Sequence, residues 1–249
     1  MSEQVSQPIW RPLADGLPFF AALSNGKRLR SVSDLLTLLV TLVLAGLFAG
    51  LSVPTSGFEQ ALVNLIGTIP SFLDVLWRLG VACLLLWVVV ILVSSMVRLR
   101  GEVLVDIATA LVVAVGLALA FSRQINGVWP SFSQAASGGS AGSVPLISLA
   151  CAVAVSSAAS PHLSLPFRHF GRWVVLVAML CVVLLESSTP FGALLSLLLG
   201  VAAAAAVHLG LGSSMGGPNL TGVGVALAQL GLPVDHLVEA PRQSSGVFL

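Results

Sequence analysis

The chain has 249 residues, of which 57% are hydrophobic and only 8% are charged, and its formal net charge is +1. Soluble domains carry about 25% charged residues. The composition therefore excludes an ordinary soluble domain and indicates an integral membrane protein, and the near-neutral charge gives no reason to expect a nucleic-acid partner.

The chain begins with a polar segment, 1–31, which ends in a cluster of basic residues and is typical of a cytoplasmic tail rather than of a cleaved signal peptide. A first membrane span is predicted over 32–53. Its Gly46 and Gly50 form a GxxxG pair, a pattern that allows close contact between helices. We interpret 54–70 as a short helix at the outer membrane interface, because apolar residues recur there at helical spacing beside Glu59.

Further apolar runs are each close to the ~20 residues that a membrane span requires. The predicted spans two to six are 72–97, 102–121, 144–160, 173–185 and 191–211. Asp74 and Arg78, near the outer end of span two, are four residues apart and can pair. Asp106 lies near the start of span three, where water or a pairing with Arg98 or Arg100 can account for its charge.

The basic residues predict the orientation of the spans. Nine of the eleven Lys and Arg residues fall in the two terminal segments or in the turns after spans two and four. Arg168, His169 and Arg172 belong to the latter turn, predicted over 161–172. Because cytoplasmic loops are enriched in basic residues, we expect a multi-pass protein of the cell membrane with both termini in the cytoplasm. The polar loop 122–145 and the break 186–190 then share the outer face.

These elements predict an all-α fold, a polytopic helical membrane bundle of six transmembrane spans plus a short interfacial helix. The predicted organisation is a tail over 1–31, a membrane domain over 32–211, and a linker over 212–249. Thr221 can cap a short helix ending near Gly231. We expect 236–249 to be the start of a truncated cytoplasmic domain, with a frayed tail as the alternative.

The layout of six spans, with a long outer loop after span three and a short outer break after span five, resembles the type-2 phosphatidic acid phosphatase family. That family places three motifs on one membrane face: K-x6-R-P, P-S-G-H and S-R-x5-H-x3-D. Their Lys and Arg hold the phosphate oxygens, one His attacks phosphorus, and the other protonates the leaving alkoxide.

The first two motifs are matched only in part. Arg123 stands where the first motif has Lys, and Trp129-Pro130 lies near its R-P, one residue short and without the Arg. The second motif lacks its histidine, because no histidine precedes His162.

The third motif keeps one residue. Ser187 matches its Ser, whereas Ser188, Leu194 and Leu198 stand at its Arg, His and Asp. The chain's histidines all belong to the predicted cytoplasmic face. The resemblance therefore implies a phosphatase-like domain that has lost hydrolysis.

The carboxyl-terminal segment carries a second resemblance. The run Gly-Leu-Pro233-Val-Asp, followed by Arg242-Gln-Ser-Ser-Gly-Val, is similar to a junction in long actinobacterial membrane proteins. In those proteins a phosphatase-like membrane domain precedes a kinase-like region and a lysylphosphatidylglycerol-synthase-type membrane region. The resemblance implies two kinds of partner. One is membrane lipids, and the other is a kinase-like or lipid-transfer region or another membrane subunit.

We therefore predict a non-catalytic integral membrane protein, a degenerate lipid-phosphatase-like scaffold or lipid-binding module of a larger envelope-lipid system. The alternatives are a divergent membrane lipid phosphatase and a small transporter or flippase subunit. No catalytic residue is predicted, because the motif histidines are missing, and no cofactor is predicted. No metal site is predicted, because the three cysteines lie in apolar runs and form no CxxC or Cys/His cluster. Arg123 is expected to pair with Glu186 or to hold an anionic headgroup. The candidate lipid or phosphate contacts are Arg123, Trp129, Glu186, Ser187 and Ser188.

Overall fold

The structure is a computed structural model that describes residues 32–51, 57–66, 71–97, 101–127, 145–185 and 188–212, together with residues 68 and 227. The α-helices within these ranges are α1 Val32–Leu51, α2 Gly57–Ile66, α3 Asp74–Val97, α4 Gly101–Asn126, α5 Ile147–Ala159, α6 Leu165–Leu184 and α7 Pro190–Leu211. Short 3-10 turns, Ser71–Leu73 and Ser160–His162, precede α3 and follow α5. The tail 1–31 and all of 212–249 except residues 212 and 227 lie outside the described residues, so the helix predicted after Thr221 stays a prediction.

Five of these helices, α1, α3, α4, α6 and α7, are long and apolar enough to cross a membrane. Large apolar side chains are exposed along α1 and α3 in particular, where Val32 is 82% exposed and Val97 is 76% exposed. A soluble monomer rarely exposes an apolar surface of this extent. The described residues thus confirm a helical bundle of a multi-pass membrane protein.

The fourth predicted span is much shorter than expected. Helix α5 has 13 residues, about 20 Å of helix, whereas the hydrocarbon core is about 30 Å thick. Nine of its residues are buried, because it packs on α4 and α7 in the middle of the bundle. A helix that is shielded by its neighbours does not need to match the full width of the lipid. Six complete spans are therefore not confirmed.

Helices α1, α3, α4, α5, α6 and α7 alternate in direction along the chain. One end of the bundle contains the starts of α1, α4 and α6 and the ends of α3, α5 and α7. We call it the basic end, because α6 places Arg168 and Arg172 there. At the opposite end, the ring of Phe48 near the end of α1 lies 5.7 Å from that of Phe191 at the start of α7. Helix α7 is central, with α1, α4 and α5 packed around it, and α3 pairs with α6.

Small residues allow the central helices to approach closely. Buried alanines recur every four residues on α4, at Ala110, Ala114 and Ala118, and contribute with alanines of α5 and α7 to the core. A Cβ atom on Gly200 of α7 would lie 2.6 Å from the Ala150 carbonyl oxygen of α5. Small residues at such positions are what permit tight helix contact in membranes.

The GxxxG pair of α1 is not used in this way. A Cβ atom on Gly46 or Gly50 would meet nothing within 4 Å among the described residues. Among the described residues this pair makes no close helix contact, since α1 turns a different face, including Ala45, toward the core.

Helix α6 begins well before the predicted span five. It starts at Leu165 rather than at 173, so Arg168, His169 and Arg172 lie on a helix and not in a turn. Ser164 occupies the position before the first turn, and Pro166 lies within that turn. Proline is favoured there because the first N–H groups of a helix have no partner within it. The turn predicted over 161–172 is therefore wrong for 165–172.

Smaller differences concern the opposite end of the bundle. Helix α2 is confirmed but covers 57–66 only, and its Glu59 is buried against α7 with 1% exposure. The Glu59 carboxylate lies 3.4 Å from the backbone N–H of Phe191, which donates to it. Asp74 and Arg78 form no ion pair with each other, although both are described.

Candidate functional site

A cleft of about 660 Å³ opens at the basic end between α1, α5, α6 and α7. Sites for small molecules typically enclose ~300–1,000 Å³. Helix α1 packs chiefly on α7, and α6 packs chiefly on α3, so the cleft lies between these two pairs of helices.

Helix α6 contributes two arginines to the cleft. Arg168 and Arg172 are four residues apart, and residues at this spacing lie on one face of a helix. Both are exposed, and neither guanidinium forms an ion pair or hydrogen bond with another described residue. Two adjacent guanidinium groups suit an anion with several oxygens, such as a phosphate.

Packing against α3 fixes this part of α6. The Trp87 ring stacks on Phe167 at 6.5 Å and meets Phe170 edge-on at 5.1 Å. Gly171 makes this possible, because a Cβ atom there would lie 2.9 Å from Trp87 Nε1. The aromatic contacts place the start of α6 firmly and hold both arginines beside the cleft.

Helix α7 lines the cleft with one stripe of side chains. The stripe begins at Leu197, continues through Val201, Ala204 and Ala205, and ends at His208. It covers about 16 Å of helix, roughly half of the ~30 Å hydrocarbon thickness. His208 Nε2 lies 3.4 Å from the Ala158 carbonyl oxygen of α5.

Helix α5 and the start of α1 complete the walls. Along α5 the lining changes from Val153 in the interior to Ser156 and Ser157 toward the basic end, and Ser160 of the following 3-10 turn continues it. On α1, Asp34 lines the same mouth, and its Oδ2 atom is buried without a hydrogen-bond partner among the described residues.

The cleft consequently has one polar end and one apolar end. Every helix that lines it places its charged or hydroxyl-bearing side chains at the basic end, and α5, α6 and α7 continue inward with Val, Leu and Ala. This gradient matches a phospholipid, whose charged headgroup continues into an acyl chain. Basic pockets between membrane helices bind lipid headgroups by the same chemistry.

A second polar contact lies at the same end but outside the cleft lining. Asp106 on α4 is buried, and its Oδ2 atom lies 3.2 Å from Nε2 of His162, which follows α5. The sequence suggested only water, Arg98 or Arg100 as partners for this carboxylate. Among the described residues, no group of three His, Cys, Asp or Glu side chains is arranged to hold a metal ion. The pair is therefore best understood as a link between α4 and the α5–α6 connection.

Of the five predicted site residues, the structure describes Arg123 and Ser188, and both lie at the opposite end. Arg123 is exposed on the last turn of α4, which ends where Gly127 adopts φ 71° and donates to the Arg123 carbonyl oxygen at 2.8 Å. Ser188 is buried, and its hydroxyl donates to the Thr189 carbonyl oxygen at 3.2 Å. Trp129, Glu186 and Ser187 lie outside the described residues, so the pairing of Arg123 with Glu186 stays a prediction.

The sequence contained a signal for the cleft that was overlooked. Arg168 and Arg172 have helical spacing and are followed by apolar Val175 and Leu176 at the same spacing. His208 likewise lies four residues after Ala204 on α7. Recognising 164–166 as a helix start would have placed both arginines on the continuous helix that carries the apolar wall.

Comparison with protein-family models, with curated proteins and with solved structures finds no match to this chain.

Proposed function

We propose that this protein is a non-catalytic, multi-pass membrane protein that binds a phospholipid in the cleft at its basic end. Arg168 and Arg172 bind the phosphate, and the apolar walls of α6 and α7 contact the upper part of an acyl chain. The observation that carries this proposal is the combination of two arginines without protein partners among the described residues and an apolar wall at membrane depth.

The polarity gradient favours a lipid over a soluble phosphate compound. A soluble anion would bind to the arginines, but it would gain no binding free energy from the apolar wall that extends to Leu197 and Val153. Apolar surface contributes roughly 25 cal/mol for each Å² removed from contact with water, and a soluble ligand leaves that surface uncovered.

The wider proposal follows the predicted topology. With both termini in the cytoplasm, the cleft faces the cytoplasmic leaflet. The protein then serves as a lipid-binding module of an envelope-lipid system, with a phosphatase-like layout of six passages in which α5 forms the short one. The resemblance to type-2 phosphatidic acid phosphatases supports this layout only, because the histidines that hydrolysis needs are missing from their motif positions.

Lipid retention in native mass spectrometry tests the proposal. The purified chain in non-ionic detergent is given phospholipid and diacylglycerol with identical acyl chains, and the lipid adducts are counted. We expect phospholipid adducts on the parent chain and at least a roughly tenfold weaker retention after Arg168→Gln/Arg172→Gln, since a hydrogen bond to a charged group contributes ~1.5–3 kcal/mol. Diacylglycerol adducts should be few and unaffected.

Two controls separate the cleft from the rest of the basic surface. Arg78→Gln removes an exposed arginine that does not line the cleft, and it should leave retention unchanged. Arg123→Gln tests the site predicted from the sequence. A loss of phospholipid adducts with Arg123→Gln but not with the α6 double substitution would overturn the cleft and favour the opposite end.

A separate assay tests the absence of hydrolysis. Purified protein incubated with phosphatidic acid and with prenyl diphosphates is expected to release no phosphate. Phosphate release that is abolished by Arg123→Ala would establish a divergent lipid phosphatase instead.

A further inference from the structure

The chemistry around Asp34 identifies the headgroup more closely than the arginines do. Asp34 lies in the first turn of α1, where the N-terminal end of the helix dipole favours a negative charge. Its Oδ2 atom is buried and accepts no hydrogen bond from any described residue. A buried carboxylate oxygen without a donor is unfavourable, so a donor that enters with a ligand stabilises it.

The arginines of the same cleft do not supply that donor. Arg168 and Arg172 line the cleft together with Asp34, yet neither forms an ion pair with it. Opposite charges therefore face one cleft without contacting each other. A ligand that carries a negative and a positive group at separate positions satisfies both, whereas a purely anionic headgroup satisfies only the arginines and is repelled by Asp34.

The lining also distinguishes between cationic groups. A quaternary ammonium has no N–H to donate and is usually recognised by aromatic rings. Among the described residues, no Phe or Trp lines the cleft, and the chain contains no Tyr. A primary ammonium, by contrast, has three N–H donors that a carboxylate and neighbouring hydroxyl groups can accept. Ser157 and Ser160 provide such hydroxyl groups at the same mouth.

We infer that the lipid bound in the cleft is an aminophospholipid of the phosphatidylethanolamine type, with its phosphate on Arg168 and Arg172 and its ammonium group on Asp34. This inference rests on the proposed function, because it requires a phospholipid in the cleft. A phosphatidylserine headgroup fits less well, since its carboxylate would approach Asp34. The protein thereby selects a zwitterionic lipid over the anionic lipids that a basic surface alone would prefer.

Competition between headgroups tests the inference on the full chain. The protein is exchanged into mixed micelles that contain equal amounts of phosphatidylethanolamine, phosphatidylglycerol and phosphatidylcholine with the same acyl chains. Bound lipids are then quantified by native mass spectrometry. We expect roughly tenfold enrichment of phosphatidylethanolamine over the other two lipids, which is the size expected for one hydrogen bond to a charged group.

Substitutions at Asp34 assign the selectivity to this carboxylate. Asp34→Asn should abolish the enrichment while phospholipid retention still depends on Arg168 and Arg172, and Asp34→Glu should preserve it. Glu102→Gln, which removes an exposed acidic residue from the first turn of α4 at the same end, should have no effect. Size-exclusion profiles and melting temperatures establish that each variant is folded, and the Glu variant keeps the test decisive should the Asn variant fail to fold.

The outcomes separate the two proposals. Retention that depends on the arginines but shows no preference for phosphatidylethanolamine, or a preference that survives Asp34→Asn, overturns the headgroup assignment and leaves lipid binding in place. Retention that does not depend on Arg168 and Arg172 overturns lipid binding in the cleft and the headgroup assignment together.

Discussion

The contact between α5 and α7 at Gly200 gives a direct test of the packing that forms the cleft. In Gly200→Ala, the new Cβ atom would lie 2.6 Å from the Ala150 carbonyl oxygen and 2.7 Å from Val153 Cβ. Ordinary contacts begin near 3.4 Å, so the helices must separate by about 0.8 Å. A backbone oxygen cannot rotate away as a flexible side chain does. The substitution therefore displaces α5, whose Val153 also lines the cleft.

The expected cost is that of overpacking a core, about 1–3 kcal/mol. For a chain of this size that corresponds to a melting temperature lower by roughly 2–12 °C. A thiol-reactive fluorescent maleimide can report unfolding, because Cys181 is buried and Cys151 is partly buried. The measurement requires a Cys83→Ala background, since Cys83 is exposed.

Gly46→Ala is the matched control, because a Cβ atom there meets no described atom within 4 Å and alanine is the better helix former by ~1 kcal/mol. We expect an unchanged or slightly higher melting temperature. If Gly200→Ala melts within about 1 °C of this control, α5 and α7 do not approach as described and the cleft loses its inner wall.

Two further predictions concern polar contacts. Asp106→Asn and His162→Gln should each destabilise the protein. A double-mutant cycle should give a coupling free energy of ~0.5–3 kcal/mol between the two side chains. Additive effects of the two substitutions would show that the side chains do not interact. Glu59→Gln should lower stability by ~0.3–2 kcal/mol, because it removes a negative charge near the N-terminus of α7. The control is Asn64→Ala, an exposed position on the same helix, which should leave the melting temperature unchanged. An equal decrease in melting temperature in both variants would exclude the interaction of Glu59 with α7.

The membrane helices could be predicted from the sequence because each depends on a local property. A run of about 20 apolar residues must form a helix in lipid, where the backbone has no other hydrogen-bond partner. Helices α1, α3, α4 and α7 accordingly lie close to the predicted spans. The start of α6 was predicted wrongly, because 161–172 was assigned to a turn although the first turn of a helix tolerates a proline such as Pro166.

The candidate site could not be predicted in the same way, because it depends on contacts between distant residues. Nothing local shows that Gly200 meets Ala150, that Gly171 makes room for Trp87, or that α1 brings Asp34 to the arginines of α6. The short α5 poses the same difficulty. Its 13 residues are explained by burial among neighbours, which is a property of the assembled bundle.

Asp34, Arg168 and Arg172 differ from Thr189 and Ser196 at the opposite end of the bundle, and this contrast supports the cleft as the binding site. At the opposite end, side chains bind backbone N–H groups: Thr189 Oγ1 accepts from Gly192 at 3.1 Å, and Ser196 Oγ accepts from Leu146 at 2.8 Å. These contacts stabilise the starts of α7 and α5. At the basic end, Asp34 and the two α6 arginines have no such contacts with described residues. Charged groups near lipid are costly unless they are paired, so their convergence on one cleft with apolar inner walls favours a charged amphiphile as their partner.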